Sequence, residues 1–186
     1  MAERLALASG AVVVEPRTLV EVTRLPSWAP NLHPLVIHFP IVLLIAAVIV
    51  DFLALLRPRR SSLNAVVSAL YVAGALSALV AYLSGRQAAA GVLIPGMAQP
   101  IVLDHWNSAL WTVAYFAALA CTRLALTMTG RGLPYWARVA AVAVGLGGTL
   151  LLFHTAEQGA RLVYQHGVGV QQPVRSAPAH DLKGNP

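Results

Sequence analysis

A chain of 186 residues with 58% hydrophobic and only 11% charged residues, at a mean hydropathy of +0.68, is neither a disordered segment nor an ordinary soluble enzyme. Its single Cys excludes an internal disulfide, a thiolate iron–sulfur cluster, a Cys-rich zinc site and covalent attachment of a c-type haem. The formal charge of +6 comes from Arg scattered at the ends of apolar blocks, with no basic run among aromatics, so it reports membrane topology and not nucleic-acid binding.

Residues 1–32 carry Arg and Glu in balance and lack the basic start, apolar core and A-x-A site of a cleaved signal. They read as an arm outside the cytoplasm, and the first apolar block directs insertion. Four blocks follow, at about 34–56, 63–84, 105–128 and 134–156, the last with a helical extension to about 166. About 20 helical residues cross a hydrocarbon layer of ~30 Å, so each block is long enough to span. The expected fold is an all-α integral membrane protein, an antiparallel up-down-up-down four-helix transmembrane bundle over residues 33–170, with a loose tail at 171–186. Pro40 lies inside the first span and is expected to free the carbonyl near Val36 and bend the helix there.

Arg57, Arg59 and Arg60 crowd the first connection and Arg123, Arg131 and Arg138 flank the third, whereas the long second connection carries only Arg86. The positive-inside rule puts both short loops in the cytoplasm, which in a bacterial inner membrane leaves both termini periplasmic. On that topology five histidines, His33, His38, His105, His154 and His166, reach one membrane face. Intramembrane ionisable groups are functional candidates, and imidazoles on facing helices are the donor set of a b-type haem. The reading makes His38 one axial ligand, on the expectation that it is the more deeply buried, with His105 or His154 as its partner. Phe39, Trp106, Trp111 and Phe153 lie at similar depth, as cofactor walls or as an interfacial aromatic belt. A zinc or copper ion held by His38, His105 and His154 is the other metal reading, while the acids are too few for a di-iron centre. His154, Glu157, Gln158 and Arg161 form a polar helical stripe nearby.

Asp51 is a carboxylate inside a span and needs a partner. Ser68, Asn64 and Arg57 are the expected ones, which predicts that Asp51→Asn is tolerated. Gly74 and the group Gly145, Gly147 and Gly148 permit close helix approach.

The segments LHPLVIHFPIVLLIAAVIVDFLALL at 32–56 and GARLVYQHGVGV at 159–170 together resemble the bacterial four-helix membrane family called domain of unknown function 2231. The resemblance covers about 31–172 and carries over His33, Pro34, His38, Phe39, Pro40, Tyr164, His166 and Gly167. It implies an integral membrane protein and, through occasional fusion of such domains to cytochrome c-like segments, a place in electron transfer. Where relatives have a Gly-rich turn with a further His, this chain has TAEQGA at 155–160, and His154 stands one residue before it.

Two functions follow as expectations. The first is an electron-carrier or redox-complex subunit with haem b near the periplasmic face, served by a periplasmic cytochrome c or a larger respiratory or photosynthetic membrane complex. The second is a non-catalytic accessory or assembly subunit whose histidines are polar glue. No nucleophile, base and orienter set points to a stand-alone enzyme.

Overall fold

The structure, a computed structural model, describes residues 31–56, 61–92, 94–129 and 134–170. The expectations for the arm before residue 31, for the tail 171–186 and for Arg57, Arg59, Arg60 and Arg131 fall outside the described residues. Among the described residues five helices run in chain order: α1 (His33–Val36), α2 (His38–Leu56), α3 (Ser61–Ala90), α4 (Gln99–Met128) and α5 (Tyr135–Tyr164). A short 3-10 turn, Gly96–Ala98, leads into α4, and no strand occurs among the described residues.

Together α1 and α2 make one span interrupted at Ile37. Pro40 has no amide hydrogen to offer the Val36 carbonyl, so the ladder lapses there, as its place in the sequence predicts. Pro34 and Pro100 sit in the first turns of α1 and α4, where a missing donor costs nothing. Pro134 caps α5 from outside.

α2 packs on α3, α3 on α4, α4 on α5 and α5 back on α2, so the four spans close into an up-down-up-down bundle with α2 and α4 on one diagonal. Leu44, Val67, Tyr71 and Phe116 are completely buried at its centre, joined by Ala47, Val48, Ala75, Leu119 and Leu152. Gly74 lets α2 close on α3, because a Cβ there would overlap Leu44 Cδ2. The outside of the bundle is apolar as well: Ile49, Phe52, Leu76, Leu83, Leu150 and Phe153 all face outward. A surface that exposes large hydrophobes on four long helices is one solvated by lipid.

The span built from α1 and α2 has 24 residues, whereas α3, α4 and α5 have 30 each. The three longer helices, ~45 Å each against a ~30 Å hydrocarbon layer, therefore project beyond it. They do so at the end opposite the short connections, hereafter the histidine end; the other is the arginine end. This projection has its own small core of Ala98, Val102 and Leu162, packed with Ile94, Trp106 and Val168. The guanidinium of Arg86 lies 4.9 Å from the centroid of the Trp106 ring and ties α3 to α4. Gly167 adopts φ +64°, a left-handed conformation that ends the helix and lets the Val168 amide donate back to the Leu162 carbonyl at 2.9 Å. The chain thereby returns Val168 to the small core.

Candidate functional site

Polar side chains inside the bundle gather in two layers. The layer near the arginine end is built on an ion pair between Asp51 of α2 and Arg123 of α4, both side chains only 7% exposed. The pair crosses the diagonal of the bundle, and the Tyr71 ring of α3 lies beside it, 6.0 Å from the Arg123 guanidinium carbon. Ser68 does not serve Asp51. Its hydroxyl lies 2.7 Å from Thr127 Oγ1 and donates to the Arg123 carbonyl at 3.3 Å, bonding α3 to α4. Asn64 is exposed. Of the partners expected from sequence, Ser68 and Asn64 are thus corrected: Arg123, read from the sequence as a loop-flanking charge, turns inward to neutralise Asp51. A second arginine, Arg138 of α5, donates to the Ala54 carbonyl. Ala54 is in the last turn of α2, where carbonyls lack helical partners and a cation is favoured.

The other layer, at the histidine end, holds the inward-facing imidazoles. His33 Nδ1 is 3.1 Å from Ser84 Oγ. Ser84 already donates its proton to the Ala81 carbonyl at 2.9 Å, so the imidazole is the donor in that bond. His105 Nδ1 donates to the Thr155 carbonyl at 3.0 Å, since a carbonyl only accepts. Both rings are therefore held with the proton on Nδ1, and each leaves an Nε2 lone pair that makes no hydrogen bond among the described residues. Glycines make room for both rings: a Cβ on Gly85 would lie 2.9 Å from His33 Cε1, and one on Gly159 would lie 3.2 Å from His105 Cε1. Below them the Thr112 and Thr155 hydroxyls lie 2.9 Å apart.

The remaining histidines sit elsewhere. His38 is exposed on the outside of α2, beside an equally exposed Phe39. The expectation that it is buried more deeply than His33 is corrected, since His38 is exposed and His33 half-buried: the helical phase turns His38 away from the bundle interior. His154 is exposed on α5, 3.4 Å from Gln158 Nε2. His166 is half-buried in the turn after α5. Among the described residues no three His, Cys, Asp or Glu side chains form a group that could hold a metal ion, so His38, His105 and His154 are not brought together. Trp111 and Phe153 face outward with Phe39 as a belt, whereas Trp106 packs inside the projection.

An open groove of about 480 Å³ runs along the outside of the bundle between α4 and α5 at the histidine end. Asp104, Asn107, Ser108 and Trp111 line it from α4, and Leu151, His154 and Gln158 from α5. Beside it Arg161 is paired with Glu157 at 2.7 Å, the exposed i, i+4 bridge expected of that stripe.

A family model described as a predicted membrane protein, DUF2231, matches residues 29–172 of this bundle. The chain belongs to the DUF2231 family. No curated protein and no solved structure matches it. The two segments by which the chain resembles DUF2231 proteins acquire physical roles here. In the first, Pro40 interrupts the helical ladder at Ile37, between His33 and His38. In the second, Gly167 and Gly169, at φ +64° and +77°, turn the chain back over the histidine end. The residue that sequence reasoning missed is Arg123, although a signal for it was present. It stands as far from the end of α4, Met128, as Asp51 does from the end of α2, Leu56, so opposite charges lie at one depth on two spans.

Proposed function

We propose that this membrane protein is a non-catalytic accessory or assembly subunit of a larger complex in a bacterial inner membrane, with its histidine end toward the periplasm. The observation that carries this reading is the use of the histidines. The two that face inward bond one helix to the next, His33 to Ser84 and His105 to Thr155. His38 instead stands exposed on the outer face of the span, where a neighbouring transmembrane chain can bond its ring nitrogens. A photo-crosslinking residue placed at position 38 should capture a protein of different sequence, while the same residue at Leu150 captures lipid. Capture of lipid alone at position 38 would end the proposal. The orientation has its own test: reporters fused after Arg60 and after Arg131 should read cytoplasmic and one after His166 external, and a cytoplasmic signal from the last would reverse it.

A second reading, an electron carrier with haem b, is favoured by the tautomers. Imidazoles that ligate a metal donate their second ring nitrogen to a protein acceptor, as His33 and His105 do, and keep Nε2 free. The donor set fits these two residues and not His38 or His154, which face outward. Haem there would supply one-electron transfer; the protein's part is to fix both rings through Ser84 and Thr155. Purified protein made with ample haem, reduced with dithionite, separates the readings. Stoichiometric b-type bands that vanish in His105→Ala would establish the second, and a featureless spectrum leaves the first.

A further inference from the structure

We infer that the groove between α4 and α5 is a binding site for a phospholipid whose headgroup carries a primary ammonium, of the phosphatidylethanolamine class. Three observations converge on it. Depth comes first: about 20 residues of helix counted from the arginine end, from Met128 on α4 and from Tyr135 on α5, reach Ser108 and Thr155, where the hydrocarbon gives way to headgroups. The groove straddles that level. Trp111 and Leu151 lie on its acyl side, and Asp104, Asn107 and Gln158 on its polar side.

Charge comes second. Asp104 is exposed and has no cationic partner among the described residues. The two basic side chains described at this end are already engaged, Arg86 by the Trp106 ring and Arg161 by Glu157. None of the residues lining the groove is Arg or Lys. An anionic headgroup would therefore meet a carboxylate with no compensating cation, whereas an ammonium finds in Asp104 a counter-charge and acceptor.

Neutral donors come third. Asn107, Gln158 and the Trp111 indole offer N–H groups to phosphate oxygens. Gln158 Nε2, 3.4 Å from His154 Nε2, donates there and leaves the His154 Nδ1–H free for the same use. Trp111, 68% exposed, adds an aromatic face on the acyl side of the headgroup, where its indole N–H can still point toward the interface. A primary ammonium donates hydrogen bonds to Asp104; the quaternary ammonium of a choline lipid does not.

The test is native mass spectrometry of the full-length protein from micelles doped equally with ethanolamine, choline and glycerol phospholipids of identical acyl chains. The ethanolamine lipid should be retained about fivefold better than the glycerol lipid, the scale of one exposed ion pair. Asp104→Asn, a change at an exposed position, should bring the ratio to about one without altering the melting temperature. His154→Leu should weaken retention of all three lipids and leave the ratio in place. Glycerophosphoethanolamine, which has the headgroup without acyl chains, should not displace the lipid at equal concentration. Equal or better retention of the glycerol lipid, a preference that survives Asp104→Asn, or displacement by the soluble headgroup would each overturn the assignment.

Discussion

Arg123→Met should destabilise the bundle by about 3–5 kcal/mol, the scale on which one partner of a buried ion pair is lost while the other stays behind. The carboxylate of Asp51, only 7% exposed, would then lose its hydrogen-bonded cation and keep only Arg138, which is held at the Ala54 carbonyl. Ser68 offers no relief, because its hydroxyl is engaged by Thr127 and the Arg123 carbonyl. Asp51→Asn should also be harmful, against the expectation from sequence, since it leaves the Arg123 guanidinium unneutralised on the diagonal. The informative variant is the double one. Asp51→Leu with Arg123→Met removes both charges and should recover most of the lost stability, as replacement of whole buried pairs by apolar groups commonly does. Denaturant unfolding in a fixed detergent reads all four proteins. If the double variant were no better than Arg123→Met alone, the damage would be one of packing against Tyr71 and not of charge.

That correction shows which features of this fold are local and which are relational. The four spans, the break near Pro40 and the close approaches at Gly74 and Gly145 follow from hydropathy, a missing amide and a missing side chain, each a property of one segment. The direction of a side chain around its helix is a property of phase. His33 and His38, five positions apart at about 100° per residue, differ by roughly 140° even on an unbroken helix, so they never shared a face. Grouping the histidines by membrane side was sufficient to collect them at one end and insufficient to tell His33 and His105, which face inward, from His38 and His154, which face outward. Arg123 was legible in principle from its depth, but positive-inside reasoning counts every terminal Arg as a loop charge. Arg138, by contrast, donates to the Ala54 carbonyl in the last turn of α2, at the arginine end.

The close approach of α5 to the core yields the sharpest packing prediction. A Cβ on Gly145 would lie 2.5 Å from Tyr71 Oη and 3.1 Å from Val48 Cγ2, both belonging to completely or nearly completely buried residues. The phenol has nowhere to swing, because its ring stacks on Phe116 with centroids 6.4 Å apart. Gly145→Ala should therefore destabilise by about 1–3 kcal/mol, the overpacking range, even though alanine favours the helix by about 1 kcal/mol. Tyr71→Phe alone should change stability by less than about 1 kcal/mol, because the hydroxyl it deletes is buried and makes no hydrogen bond among the described residues. Without that oxygen the nearest Tyr71 atom to the new methyl is the ring carbon Cζ at 3.7 Å, an ordinary contact. The double variant should then be more stable than the sum of the single effects by about 1–2 kcal/mol, a coupling within the usual range for residues in contact. Gly147→Ala serves as the control, since its Cβ would meet only the Tyr115 hydroxyl, at 3.3 Å, on a half-buried side chain. Strict additivity between positions 71 and 145 would mean that the hydroxyl does not occupy the space over Gly145. Helix α5 would then stand farther from α3 than this packing requires.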